Sequence, residues 1–248
     1  MTRALLALLF CSALPVTADT RTEVLRTMAA LRAAHPVTAT VSVHITRKSQ
    51  GRFANNTLTA DTAVEATSDA SGLSIRIPIV ALDTAEREER ERQADPNRRA
   101  PTRTALDEID AVALAESFDF AQPLQHLIDL GKVTAESRIT LNGRPVRLVT
   151  LALTPRLTKE ARSVWNVRFT EDQLRLWIAD NHVPIAAERT RNGTAGFMFL
   201  RGDMRQRDHW TFTLAGDRLV VIRHESTFLG TGLGQRGEGR TIVTLSLK

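Results

Sequence analysis

The sequence predicts an α+β fold, mainly antiparallel β: a strongly curved sheet, or incomplete β-barrel, with an N-terminal helix and a central helical insertion covering the concave face. Three observations predict it. Apolar and polar residues alternate with a period of two along most of the chain. Helical spacing is confined to one segment near the start and one stretch in the middle. A sheet of that many half-wet strands must curl or close to bury its apolar side, and the helices are too few to pack on both faces.

The first helix is signalled by Thr20 and Glu23, a capping-box pair, followed by Val24, Leu25, Met28 and Leu31 at helical spacing until Pro36. The period then changes. Val37, Ala39, Val41, Val43 and Ile45 alternate with Thr38, Thr40, Ser42, His44 and Thr46, giving a strand with one apolar face. A second strand is expected from about Phe53 to Thr67, and a third over Leu73–Ile77 after the turn at Asp69-Ala70-Ser71-Gly72.

The middle, at about 80–131, reads as helical. Asp83–Ala94 is nearly all charge, with Glu86–Arg90 and Glu88–Arg92 at i, i+4, as on a solvated helix. After the Asp95–Pro101 linker, one more helical stretch runs from Thr104 to Leu130 and stops at Gly131. Strands then resume. Asn142-Gly143 and Asn192-Gly193 are both two-residue hairpin signals, and Leu174–Ala179 turns through Asp180-Asn181-His182 into Val183–Thr190. Trp165 and Trp177 fall in strand patterns, where core packing is the default role. The last strands are expected at Asp208–Leu214, Arg218–Phe228 and Thr241–Leu247.

Residues 1–18 have the parts of a cleavable signal peptide: Arg3, the apolar run Ala4–Leu14, the helix-breaking Pro15, and Val16-Thr17-Ala18 before a cut at Asp19. The apolar run is shorter than the roughly 20 residues that span a bilayer. No transmembrane segment is therefore expected after cleavage, and the bulky Phe10 before Cys11 argues against a lipoprotein signal. Removal of the leader takes the sole cysteine with it, which excludes disulfides and thiolate chemistry from residues 19–248. Those residues are expected to form a single β-rich domain, periplasmic or secreted. Only Lys48, Lys132, Lys159 and Lys248 among the 33 basic residues are lysines, and the chain has no tyrosine. Scattered arginines without stacking platforms do not make a nucleic-acid site.

No GxSxG, HExxH, Walker-type loop or cysteine–histidine pair is present. The glycine-rich run Gly230–Gly239 is followed by a strand pattern and not a helix, so it reads as a flexible strand connection and not as a phosphate loop. If Gly216-Asp217 is a two-residue hairpin loop, His209 faces His224, Trp210 faces Arg223 and Phe212 faces Val221. Directly paired residues have Cβ atoms about 4.5–5.5 Å apart, close enough to share a metal, but no third ligand is identifiable. Neither a metal nor a cofactor is expected, and no catalytic residue is nominated.

The segment Leu174-Arg175-Leu176-Trp177-Ile178-Ala179-Asp180-Asn181-His182-Val183-Pro184-Ile185-Ala186-Ala187-Glu188 resembles a hairpin of the periplasmic lipoprotein-carrier (LolA-like) superfamily. There a strand ends in Leu-Trp-Ile, an Asp-containing turn follows, and the return strand opens with a Pro-apolar step. The resemblance implies an unclosed barrel whose helices cover a hydrophobic cavity for acyl chains. From the residues themselves, the candidates for lining an apolar interior are Val41, Val43, Ile45, Leu58, Leu127, Trp210 and Phe212. The resulting expectation is a non-catalytic exported carrier or sensor of a hydrophobic ligand, a lipid or lipoprotein acyl chain. The alternative is an envelope protein-interaction module with a filled core.

Overall fold

A computed structural model describes residues 18–31, 33–51, 55–154, 166–197, 200–232 and 235–248. The expected leader lies outside them apart from Ala18, and Trp165 lies outside them as well.

The chain opens with helix α1 (Ala18–Ala29) and the strands β1 (Val37–Gly51), β2 (Asn56–Asp69) and β3 (Gly72–Arg76). Four helices follow: α2 (Ile79–Ala94), α3 (Pro101–Asp107), α4 (Ala111–Phe118) and α5 (Ala121–Asp129). Seven strands complete it: β4 (Gly131–Leu141), β5 (Arg144–Leu153), β6 (Asn166–Ile178), β7 (Pro184–Phe197), β8 (Leu200–Ala215), β9 (Arg218–Gly232) and β10 (Gln235–Leu247).

All ten strands belong to one antiparallel, curved and unclosed sheet in the order β3-β2-β1-β10-β9-β8-β7-β6-β5-β4. The order explains the helices. The chain leaves the sheet at its β3 edge and re-enters at its β4 edge, so α2–α5 must cross the whole concave face between them.

The alternation on β1 sets the register of that end of the sheet. Val41 pairs with Val64 on β2 and with Leu245 on β10, which stacks three β-branched or leucine side chains on the covered face. Asn142 and Gly143 both have positive φ, 50° and 77°, as a type I′ hairpin requires. The expected 104–130 helix is broken into three. Asp110 accepts hydrogen bonds from the amides of Val112 and Ala113 and so starts α4 afresh. Helix α2 begins at Ile79, a turn earlier than its charge pattern indicates, and Ala85 is its buried residue. Its Glu88 pairs not with Arg92 but with the start of α3, accepting from Thr102 Oγ1 (2.8 Å) and the Arg103 amide (3.1 Å).

Two hairpin readings are corrected. Asn192-Gly193 is no turn but lies inside β7, opposite a register shift between Phe169 and Glu171 on β6. A Cβ on Gly193 would sit 2.4 Å from the Arg168 carbonyl oxygen, so the glycine serves a close backbone approach. Gly230–Gly232 and Gln235–Gly239 are paired strand residues of β9 and β10, not a flexible connection.

The largest apolar cluster joins Val24 and Met28 of α1, Leu124 and Ile128 of α5, and Leu151, Leu174, Leu176, Ile178 and Phe212 from β5, β6 and β8. A second joins Leu114 and Phe118 of α4 to Val37, Ala39 and Val41 of β1 and Val64 and Ala66 of β2. Between the two, β10 stops pairing with β9 at Thr244–Arg223. Beyond that point the Leu219 carbonyl accepts instead from the Phe120 amide, which enters α5 (2.8 Å). The helical insertion therefore plugs the place where the sheet divides.

Candidate functional site

Sheet register places three rows of side chains on the covered face. Val43, Val243, His224, Trp210 and Ala187 form one row across β1, β10, β9, β8 and β7. The next runs Ile45, Thr241, Ser226, Asp208, Arg189 and Leu174, and the third includes Arg47, Gly239, Phe228, Gln206, Arg191 and Asp172. A cavity of about 440 Å³ lies between these rows and α3–α5.

Its apolar wall is Val41, Val43 and Val243 from the sheet, with Ile109, Leu114, Phe120 and Leu127 from the helical segment. Beyond Val243 the same row continues through His224 to Trp210. The Trp210 ring stacks on His224 at 5.2 Å and 9°, and Phe120 tilts onto it at 5.6 Å.

The charged wall is a zigzag on neighbouring strands. Arg189 donates two hydrogen bonds to Asp172, from Nε at 2.8 Å and from a terminal nitrogen at 2.6 Å. Arg191 donates one to Asp208 at 3.2 Å, and His224 Nε2 lies 3.3 Å from the other Asp208 oxygen. Burial opposes ionisation of Asp208, but hydrogen bonds from His224 and Ser226 and the Arg191 charge outweigh it and hold this carboxyl below the usual range. Buried ion pairs of this kind give a fold little net stability over an apolar replacement, so packing alone does not account for them.

Of the seven residues expected to line an interior, the structure brings Val41, Val43, Leu127 and Trp210 together around this cavity. Ile45 is buried instead with Ala60 and Ala105, and Phe212 in the main core beside Phe120. Leu58 is half-buried opposite Arg47 on β1, away from the cavity. Sequence reasoning missed Arg189, Arg191, Asp208 and His224. A signal existed: Ala187, Arg189 and Arg191 are in phase, so carrying the covered face of β7 two steps further would have found both arginines.

The expected His209–His224 pair does not form. Below the Gly216-Asp217 turn the register matches as far as Phe212–Val221, but Ile222 is an extra residue on β9. Beyond it Trp210 faces His224 and His209 faces Glu225, which puts the two histidines on opposite faces of the sheet. Among the described residues no group of three or more His, Cys, Asp or Glu side chains is placed to hold a metal. Larger recesses, about 580 and 710 Å³, lie elsewhere on the sheet and are lined by Arg205 and Arg207 among mostly polar residues. The smaller cavity is the candidate because it alone of the three joins helical cover, apolar wall and convergent charge.

No family model and no curated protein matches this chain. One similar solved structure is a Vibrio parahaemolyticus domain assigned to outer-membrane lipoprotein sorting. The two share 10% identity over 92% of this chain and 91% of that domain, with a TM-score of 0.34. So loose a superposition fixes neither family nor function.

Proposed function

We propose that the protein is an exported, non-catalytic carrier or sensor that holds a lipid or a lipoprotein acyl chain. The observation that supports this reading is the cavity of about 440 Å³ under the helices, with Val41, Val43, Val243, Leu127 and Leu114 on one wall. Its size falls within the roughly 300–1,000 Å³ of small-molecule sites. A leader at residues 1–18, cut after Ala18, fits an envelope role for residues 19–248 as one domain. Among the described residues, no helix is long and apolar enough to cross a membrane.

Native mass spectrometry on gently purified protein, with titration of a fluorescent fatty acid, tests the proposal. A bound lipid, or saturable binding weakened by Leu127→Trp without loss of thermal stability, supports it. Protein that is ligand-free and binds no fatty acid overturns it. A second reading, an envelope protein-interaction module, is favoured by Ile79 and Val80, which are 75% and 76% exposed in the first turn of α2. Ile79→Asp with Val80→Asp would abolish partner capture under that reading and leave fatty-acid binding unchanged.

A further inference from the structure

The two arginines of the charged wall differ in one respect that bears on what the cavity takes. Arg189 has a carboxylate to itself, in a two-pronged bond to Asp172. Arg191 does not, because Asp208 is shared with His224. A guanidinium offers five N–H donors, and among the described residues Arg191 makes a single hydrogen bond, to Asp208, while its guanidinium carbon lies over the Phe169 ring at 5.5 Å. Its side chain is only 19% exposed, and its Nε is buried without an acceptor. A buried donor left unpaired costs about 1–3 kcal/mol, more when charged.

We infer that the cavity's ligand is a single-chain amphiphile with a carboxylate or phosphate head, and that Arg191 receives the head. The inference rests on the cavity being a ligand site. The carboxylates that line it are mostly engaged already, so they do not offer a cationic head a comparable partner. Glu108 is held by Arg47, Asp110 caps α4, and Asp208 is shared by Arg191 and His224. Glu116 is the remaining one, on the exposed side of α4, with His126 on α5. Among the described residues that face the cavity from the sheet, Arg191 is thus the arginine without a carboxylate of its own.

The tail has a place as well. Val43 on β1 and Ala187 on β7 end one row, four strand spacings apart or about 19 Å along the sheet at roughly 4.8 Å each, and Arg191 lies further along β7. A twelve-carbon chain laid along Val43, Val243, His224 and Trp210 covers most of that row, and a short organic acid does not.

The test is isothermal titration of the purified protein with laurate and lauroyl lysophosphatidylglycerol below their micelle concentrations and dodecanol below its solubility limit, repeated on Arg191→Met and Arg191→Lys. The anionic amphiphiles should bind the wild type about tenfold or more tightly than the alcohol, as one hydrogen bond to a charged group predicts. Arg191→Met should abolish that preference, read as the ratio of anionic to dodecanol affinity within the variant, while Arg191→Lys should keep part of it. The wild-type comparison needs no variant to fold. Equal binding of anionic and neutral amphiphiles, or a preference that survives Arg191→Met, overturns the inference and leaves the carrier reading intact. No binding of any amphiphile overturns the carrier reading itself.

Discussion

On β6, β7 and β8 the concave face changes character within one row of residues. At the α1–α5 end, Leu174, Leu176, Ile178, Ala187 and Phe212 pack with Leu124 and Ile128 into an apolar core. One step further along the same strands, the face carries Asp172, Arg189, Arg191 and Asp208, paired in a zigzag. Both regions are largely buried, yet they are held by different physics. The first is stabilised by removing apolar surface from water. The second depends on each charge keeping its partner, because a buried ion left alone is costly. The apolar end builds the fold, and Arg189, Arg191 and Asp208 of the charged end face the cavity.

The contrast can be broken from either side. Leu124→Ala removes a fully buried side chain from α5 at the centre of the apolar end, and should cost about 4 kcal/mol by the usual range for such truncations. Urea unfolding followed by circular dichroism reads this directly, and a loss under about 1 kcal/mol would show that α5 is not integral to that core. Asp172→Ala attacks the charged end. The Asp172 side chain is 1% exposed and its removal strands Arg189, which is 21% exposed. A loss of about 3 kcal/mol is expected, at the low end for breaking a buried pair because Arg189 retains some water. If Asp172→Ala combined with Arg189→Met is more stable than Asp172→Ala alone, the stranded charge is the cause.

The apolar end was more legible in the sequence than the charged end, for physical reasons. On β1, valine and isoleucine alternate with threonine and serine, and only one register buries the first set. On β9 the run Leu219-Val220-Val221-Ile222 is apolar throughout, so nothing in it marks Ile222 as the bulged residue. That one extra residue turns His209 away from His224. The dipeptide Asn-Gly was ambiguous for a similar reason. At Asn142-Gly143 it supplies two positive-φ residues to a turn, whereas at Gly193 the glycine is needed for what a Cβ would strike. Ending that strand at Thr190, before the expected Asn192-Gly193 turn, left Arg191 out of the phase that Ala187 and Arg189 share. The break between α3 and α4 depended on Asp110 capping a new helix, a local event that apolar spacing does not record.

Gly193 offers a smaller effect that sharpens the same comparison. Gly193→Ala places a methyl group 2.4 Å from the Arg168 carbonyl oxygen and 2.9 Å from the Phe169 Cα, both backbone atoms. Overpacking against backbone should cost about 2 kcal/mol. The displacement would reach Phe169, over which Arg191 lies. Anionic-amphiphile binding should therefore weaken along with stability, whereas Leu124→Ala should lower stability while leaving the head preference intact. Titration of both variants with laurate and dodecanol separates the two regions.

The smallest effect is expected outside both. Asp217, in the β8–β9 turn, accepts from the Ala34 amide at 3.0 Å and lies 3.1 Å from His35 Nδ1, tying the α1–β1 connection to the turn. Hydrogen bonds from the Ala34 amide and from His35 lower its carboxyl from the ordinary 3.8 to about 2. A carboxyl whose pKa is depressed in the folded state adds stability above its unfolded value, and that contribution disappears as pH falls through the folded value. The melting-temperature difference between the wild type and Asp217→Asn should therefore be constant near neutral pH and shrink between about 4 and about 2. Because the tie is exposed, the difference should be small and further reduced by salt. A difference that persists unchanged to the acid limit would show that Asp217 acts through the shape of the turn and not through its charge.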